Sequence, residues 1–203
     1  WMAGASSLFT KEFYDLVKER LEPNGILGQW IQTYSLTPSD YALQVRTLTE
    51  VFPHTALLIL PGTDTFLMAS MRALEPDSTI IEETQRLVEA EAAVKADLEQ
   101  YFGTTDIRSL LLRHWVLGNH GVKSLVAMDA ARGIHSDLNL RLEHDAPLRL
   151  FDERLSPAEV RKVILAAAPP VELARRWKNW GCAEAQLPAL RGLLDRFAEN
   201  EAW

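Results

Sequence analysis

Gln29, Gln32 and Tyr34 stand at or just past the carboxyl end of a short apolar run, 26–32, that reads as a strand. Open α/β sheets hold their ligands beyond the carboxyl ends of their strands. Two amides and a phenol offer hydrogen bonds in both senses, which suits the lip of a substrate site. Asp64, closing the turn Pro61-Gly62-Thr63-Asp64, adds a carboxylate that would attract an ammonium group. Gln29, Gln32, Tyr34 and Asp64 are therefore the candidate substrate-binding residues. A purely local role stands beside each: Gln32 and Tyr34 as partners of backbone at a strand-to-helix turn, Asp64 as a turn aspartate bonding its own backbone.

A second polar row, Asp137, Asn139, Arg141 and Glu143, alternates with Leu138, Leu140 and Leu142 as in an edge strand or extended arm. It reads either as a flap over a site or as a solvent face with cross-strand charge pairs. No residue is a candidate catalyst. His54, His114, His120, His135 and His144 lack the three- or four-residue separation, with further ligands nearby, that a metal site requires, so no metal is expected. Cys182 is the sole cysteine, which excludes an internal disulfide and a cysteine-built zinc site and reads as a small packed thiol. No Gly-x-Ser-x-Gly or P-loop pattern occurs, so hydrolase and nucleotide-phosphate readings lack support.

The 203 residues, 47% hydrophobic and 24% charged, suffice to bury a core in one domain or two small ones. A formal net charge of -7, with Lys and Arg scattered among acids, argues against a nucleic-acid partner, because phosphate binding needs clustered cations. No apolar run approaches the ~18 residues of a membrane span, and the opening residues lack a signal-peptide pattern. The expected location is cytoplasmic, with attachment to a membrane-embedded upstream region left open.

The elements that must position these side chains follow from caps and periodicity. Thr10 can cap a helix whose apolar residues Phe13, Leu16, Val17 and Leu21 form a stripe facing a sheet. The run 26–32 suits a strand buried on both faces. Thr37-Pro38-Ser39-Asp40 starts a second helix with a capping box, its buried stripe being Tyr41, Val45, Leu48 and Phe52. Segments 55–60 and 65–71 pair as a hairpin. This helix, strand, helix, strand order is that of the closing half of a doubly wound sheet. The strand-turn-helix unit with a glycine-rich turn that opens such sheets is absent, and the first residue is Trp1, so the chain is expected to enter its domain midway. An open sheet edge would then remain, with the missing N-terminal half of the domain or a second copy as partner.

Past Glu75-Pro76-Asp77 the sequence turns helical. One long helix is expected over 80–101, ending at Gly103, and others over 106–117 and 122–131. Ser156-Pro157-Ala158-Glu159 forms a capping box, and further helices follow Pro170 and Cys182. The expected domains are 1–76, the α/β part, and 77–203, a mostly helical extension with an extended segment near 137–150.

In Ser7-Leu8-Phe9, Phe13-Tyr14, Leu16, Leu21, Gly25-Ile26-Leu27 and Phe52-Pro53 the chain resembles the second half of the spermidine synthase (polyamine aminopropyltransferase) family. It is most similar to the bacterial branch of long, often membrane-fused spermidine synthase-like proteins. Phrases of that branch look like Leu8-Phe9-Thr10-Lys11-Glu12-Phe13-Tyr14, Gln29-Trp30-Ile31-Gln32, Tyr34-Ser35-Leu36-Thr37-Pro38 and Ser136-Asp137-Leu138-Asn139-Leu140-Arg141-Leu142-Glu143, in this order. The resemblance covers about residues 1–151. It implies the C-terminal half of a Rossmann-like, class I methyltransferase-like sheet followed by an α-helical extension. It further implies transfer of an aminopropyl group from decarboxylated S-adenosylmethionine, as co-substrate of the intact protein, to a polyamine. The family's catalytic aspartate and cofactor-binding carboxylates precede the Ser-Leu-Phe phrase, so none falls on a residue here and the fragment alone is expected to hold no cofactor and to be inactive. Two rivals stand beside this: a non-catalytic module for partner binding or oligomerisation, and a methyltransferase dependent on S-adenosylmethionine built on the same scaffold.

Overall fold

The computed structural model describes residues 5–62, 64–129, 133–149 and 155–201. A 3-10 turn at Ala5–Phe9 leads into α1 (Lys11–Arg20), β1 (Leu27–Gln32), α2 (Pro38–Val51), β2 (His54–Ile59) and β3 (Asp64–Ser70). There follow α3 (Ser78–Ala90), α4 (Ala92–Phe102), α5 (Ile107–His114), β4 (Trp115–Leu117) and α6 (Asn119–Ala127). Then come α7 (Arg141–Arg149), α8 (Pro157–Ala166), α9 (Pro170–Asn179), a 3-10 turn at Glu184–Gln186 and α10 (Leu187–Glu201). The fold is mixed α/β, with a small sheet in the order β1-β3-β2-β4.

Packing divides the chain into two compact units, Trp1–Leu74 with Leu117–Ala168 and Glu75–Val116 with Pro169–Trp203. The division at 76/77 expected from composition follows helix content. Contacts assign residues 117–168 to the first unit instead, because α6 and α8 pack on α2 and α6 on β2.

In the first unit, caps set the helix starts. Thr10 Oγ1 accepts the Phe13 N–H, and at Thr37 the capping box is complete, with Asp40 N–H bonded to Thr37 Oγ1 and Thr37 N–H to Asp40 Oδ2. Helix α2 is buried nearly all round, including Tyr41, Val45 and Leu48, because α1, α6, α8 and β3 surround it. Its Tyr41 hydroxyl meets Thr65 Oγ1 at 2.7 Å, and Thr65 Oγ1 donates to Ile31 O at 2.7 Å, which pins helix to sheet. Arg46, also buried, donates to the carbonyls of Val126, Asp129 and Gly133, so its guanidinium occupies the carboxyl end of α6, where cations are favoured. Helix α1 departs from expectation: Leu16 is exposed and Phe13 and Val17 half-buried, while Tyr14 is the buried residue, because α1 packs on α2 and the 3-10 turn rather than on the sheet.

Strands β2 and β3 form the expected antiparallel hairpin, turned by Gly62 with φ +85, a left-handed conformation suited to glycine; Thr63 lies outside the described residues. Strand β1 pairs with β3 antiparallel, Gln32 opposite Asp64 and Leu27 opposite Ala69. β1 and β2 therefore run parallel to each other with β3 between them, joined by α2. Leu60 N–H bonds to Asp64 O at 3.0 Å. Alternation along the ladder then turns the backbone groups of Thr65, Leu67 and Ala69 toward β1, where Ile31, Gln29 and Leu27 answer them. The N–H and C=O of Gly28, Trp30 and Gln32 point away from the sheet. β1 is thus an edge, and of its residues only Ile31 is buried; the expected strand covered on both faces is not formed. One sheet face, with Ile31, Thr65, Leu67, Leu57 and Ile59, is buried; the other carries the exposed Trp30 beside half-buried Phe66, Met68 and Leu58. Gly28 is required there, because a Cβ would collide with the Phe66 ring.

Three further expectations are corrected. The extended segment near 137–150 is a turn followed by α7: Leu138 is 95% exposed while Leu142 is buried, so the leucines share no face. The turn is built by Asn139, whose Oδ1 accepts from Ser136 N–H and whose Nδ2 donates to Ile134 O, and Leu140 adopts φ 41. Residues 150–154 lie outside the described residues. The long helix at 80–101 breaks at Glu91, in extended backbone, because the buried stripe of α3 ends at Val88 and α4 folds back on α3. The helix expected over 106–117 stops at His114, and residues 115–117 form β4.

The second unit is centred on Arg176 of α9, 1% exposed. Its Nη2 meets Glu172 Oε2 at 2.9 Å, its Nη1 donates to the carbonyls of Trp115 and Val116, and Glu75 Oε1 lies 3.8 Å from Nε. The guanidinium lies 5.8 Å from the Trp180 ring centroid, and Trp180 meets Trp115 edge-on. Around this core α5 packs against α10 through residues such as Leu112 and Leu193. Gln186 bonds Asp106, the cap of α5, at 3.0 Å.

Candidate functional site

β1 and β2 both end, and β3 begins, on one side of the first unit, at Gln32, Ile59 and Asp64. The register sets Gln32 directly across from Asp64, and alternation puts both side chains on the face that carries Trp30 and Phe66. Both are half-buried. Tyr34 follows two residues past the strand, exposed, in a turn whose next residue, Ser35, adopts φ 54. A left-handed serine costs backbone energy, and it immediately precedes the capped start of α2. Gln32 and Asp64 therefore form one lip, and Tyr34 lies two residues beyond the end of β1.

Gln29 does not join them. It lies on the opposite face, where its Nε2 donates to Trp30 O at 3.2 Å, and so covers one of the outward carbonyls of the edge. Asp64 opens β3 rather than sitting in the turn.

The lip offers a carboxylate and an amide, groups able to meet an ammonium ion by charge and by an accepting carbonyl. It contains no pair of group and base able to move a proton. Asp40, the nearest other carboxylate along the chain, is committed to the cap, accepting from Thr37 Oγ1 at 2.6 Å.

The second polar row is dispersed into structural duties. Asp137 N–H bonds to Glu12 Oε2 at 3.0 Å, and Glu143 Oε2 accepts from Ser6 Oγ at 2.6 Å. Between them stands His135, fully buried, which the spacing argument passed over because its partners are remote in sequence. Leu142 N–H donates to its Nδ1 at 3.5 Å, leaving Nε2 to carry the proton toward Ser6 O at 3.0 Å. The imidazole meets the carbonyl of Ser6 and not its hydroxyl, so serine, histidine and glutamate do not form a nucleophilic relay. Burial pulls the His135 pKa below its ordinary value, against the opposing pull of the Ser6 carbonyl and nearby carboxylates.

Among the described residues no group of three or more His, Cys, Asp or Glu side chains could hold a metal ion. Cys182 is half-buried, and burial pushes its thiol pKa up, the opposite of what a nucleophile needs. Among the described residues no helix is long and apolar enough to cross a membrane. No family model, curated protein or solved structure matches the chain.

Proposed function

We propose that this chain is the C-terminal portion of a spermidine synthase-like protein, with Gln32, Tyr34 and Asp64 forming the rim that receives the polyamine. Aminopropyl transfer belongs to the intact protein. The observation that carries the reading is the βαβ crossover from β1 through α2 to β2, with β3 between them setting Asp64 beside Gln32 at the carboxyl ends of β1 and β2, next to an edge strand. In a methyltransferase-like Rossmann sheet that edge would take the preceding strands. What supports this is that no charged residue occurs from Gly25 to Ser39 and that, among the described residues, no strand pairs with the outward side of β1, where only the Trp30 carbonyl is covered, by Gln29.

The sulfonium co-substrate does not fit the described residues of this chain. Holding it needs oriented carboxylates in a dry site, whereas Asp64 is only half-buried and Asp40 is bound in its cap. The residues here supply recognition of the acceptor amine.

Titration of the chain with spermidine, followed by amide chemical shifts, tests this. Perturbations centred on Gln32, Tyr34 and Asp64, lost in Asp64→Asn, are expected, together with no aminopropyl product when the chain alone is incubated with decarboxylated S-adenosylmethionine and putrescine. Shifts confined to the acidic helices, or transfer by the chain alone, refute the reading.

A further inference from the structure

We propose that the outer surface of α3 and α4 is a docking face for a basic amphipathic helix of another protein. The face lies within the second unit and owes nothing to the polyamine reading. In α3 the packing demand is met by Ile81 and Val88, which are buried. The residues one step round the helix, Ile80 and Leu87, are 52% and 68% exposed. Helix α4 buries no residue at all, and its Val94 and Tyr101 are 45% and 67% exposed.

Ile80 and Leu87 stand seven positions apart on α3, and Val94 and Tyr101 seven apart on α4, so each helix carries its own exposed apolar pair at the spacing one helix presents to another. An 11-residue helix is marginal by itself in water, and α4 gains nothing from burying its own side chains in this chain. Isolated exposed leucines are ordinary; a pair on each of two successive helices, one of which buries none of its own residues, marks an interaction surface.

Charge selects the occupant. Between Asp77 and Gly103 seven carboxylates stand against two cations, Arg86 and Lys95, so this stretch carries most of the chain's net -7. A second copy would oppose like charges across the seam, and an anionic lipid surface would be repelled. A helix with apolar residues at three- and four-residue steps, flanked by Lys and Arg, satisfies both the seam and the field. Glu82 is already paired with Arg108 at 3.1 Å, so the partner's cations meet the remaining acids.

The test is fluorescence anisotropy of a labelled peptide of about five helical turns, roughly 18 residues, with Leu on the seam and Lys elsewhere. Saturable one-to-one binding at physiological ionic strength is expected. The double variant Leu87→Ser with Tyr101→Ser, both exposed positions whose loss leaves the circular dichroism unchanged, should weaken it about tenfold or more. A scrambled peptide of the same composition should not saturate. Absence of saturable binding, equal binding by the scrambled peptide, or equal binding to the double variant overturns the proposal. So does concentration-dependent self-association that the double variant abolishes, which would make a second copy the occupant, or capture by zwitterionic vesicles in place of the peptide.

Discussion

At the scale of single residues, two buried ionisable groups carry testable weight. His135 is held neutral, accepting at Nδ1 and donating at Nε2. The unfolded chain takes up a proton on this ring near the ordinary histidine value of about 6.5, the folded chain only at lower pH. The unfolded state therefore binds more protons through that interval, and stability falls as pH drops below about 6.5, levelling once the folded ring also protonates. Thermal unfolding followed from pH 7.5 downward should show this loss, and His135→Gln, less stable at neutral pH, should show a shallower slope through the same range. Arg176 is the other group. Burial draws its pKa down while Glu172 and Glu75 draw it up, and it stays an ion paired at 2.9 Å to Glu172. Truncation leaves Glu172 buried and the carbonyls of Trp115 and Val116 without their donor. Arg176→Ala should therefore cost about 3–5 kcal/mol in urea unfolding, far more than the same change at the exposed Arg86. A cost under about 1 kcal/mol, the range of exposed pairs, would show that the ion pair is not the anchor of this unit.

At the scale of elements, the α2 start is where local sequence chemistry and the proposed site meet, because the capping box at Thr37 directly follows the Tyr34-Ser35 turn. Thr37→Ala should destabilise the chain by about 1 kcal/mol in chemical unfolding and loosen the lip, seen as weaker spermidine shifts at Tyr34. A measured cost near zero would mean that the turn is held by something other than the cap. Side-chain caps were legible in the sequence, at Thr10, Thr37 and Ser156, because a cap is decided by residues within three or four positions; at Ser156 the cap accepts from Ala158 N–H rather than in the box expected with Glu159. The β2–β3 hairpin was legible for the same reason. What escaped was decided at a distance. The alternation at 137–143 imitates a strand, but Leu142 is buried beneath the His135 network while Leu138 points to water. The stripe on α1 has the right period and the wrong partner. Strand β1 reads as fully covered because it lacks charge, and that same lack is what an edge built for pairing would show. The register that joins Gln32 to Asp64 and separates Gln29 from both depends on β3 lying between β1 and β2, which no local pattern encodes.

At the scale of the whole molecule, each compact unit is assembled from two separate stretches of chain, and the stretches alternate. Composition changes once, near Pro76, but the fold crosses between units three times. A piece ending at residue 76 would lack α6 and α8, which cover α2, and Asn119, whose Oδ1 accepts the Thr55 N–H at 3.1 Å. Such a piece should aggregate or give a poorly dispersed amide spectrum, while the 203-residue chain gives a dispersed one. A well-dispersed spectrum from residues 1–76 would show that the later helices are dispensable to the sheet.

The alternation also has a temporal side. During synthesis α5 leaves the ribosome roughly 80 residues before the α10 residues it packs against, such as Leu193. At ordinary elongation rates that is an interval of roughly 4–16 s. Throughout it the nascent first unit can be completed while Leu112 has no α10 to receive it. The second unit is thus completed only once α10 has been made, and that helix acts as its latch.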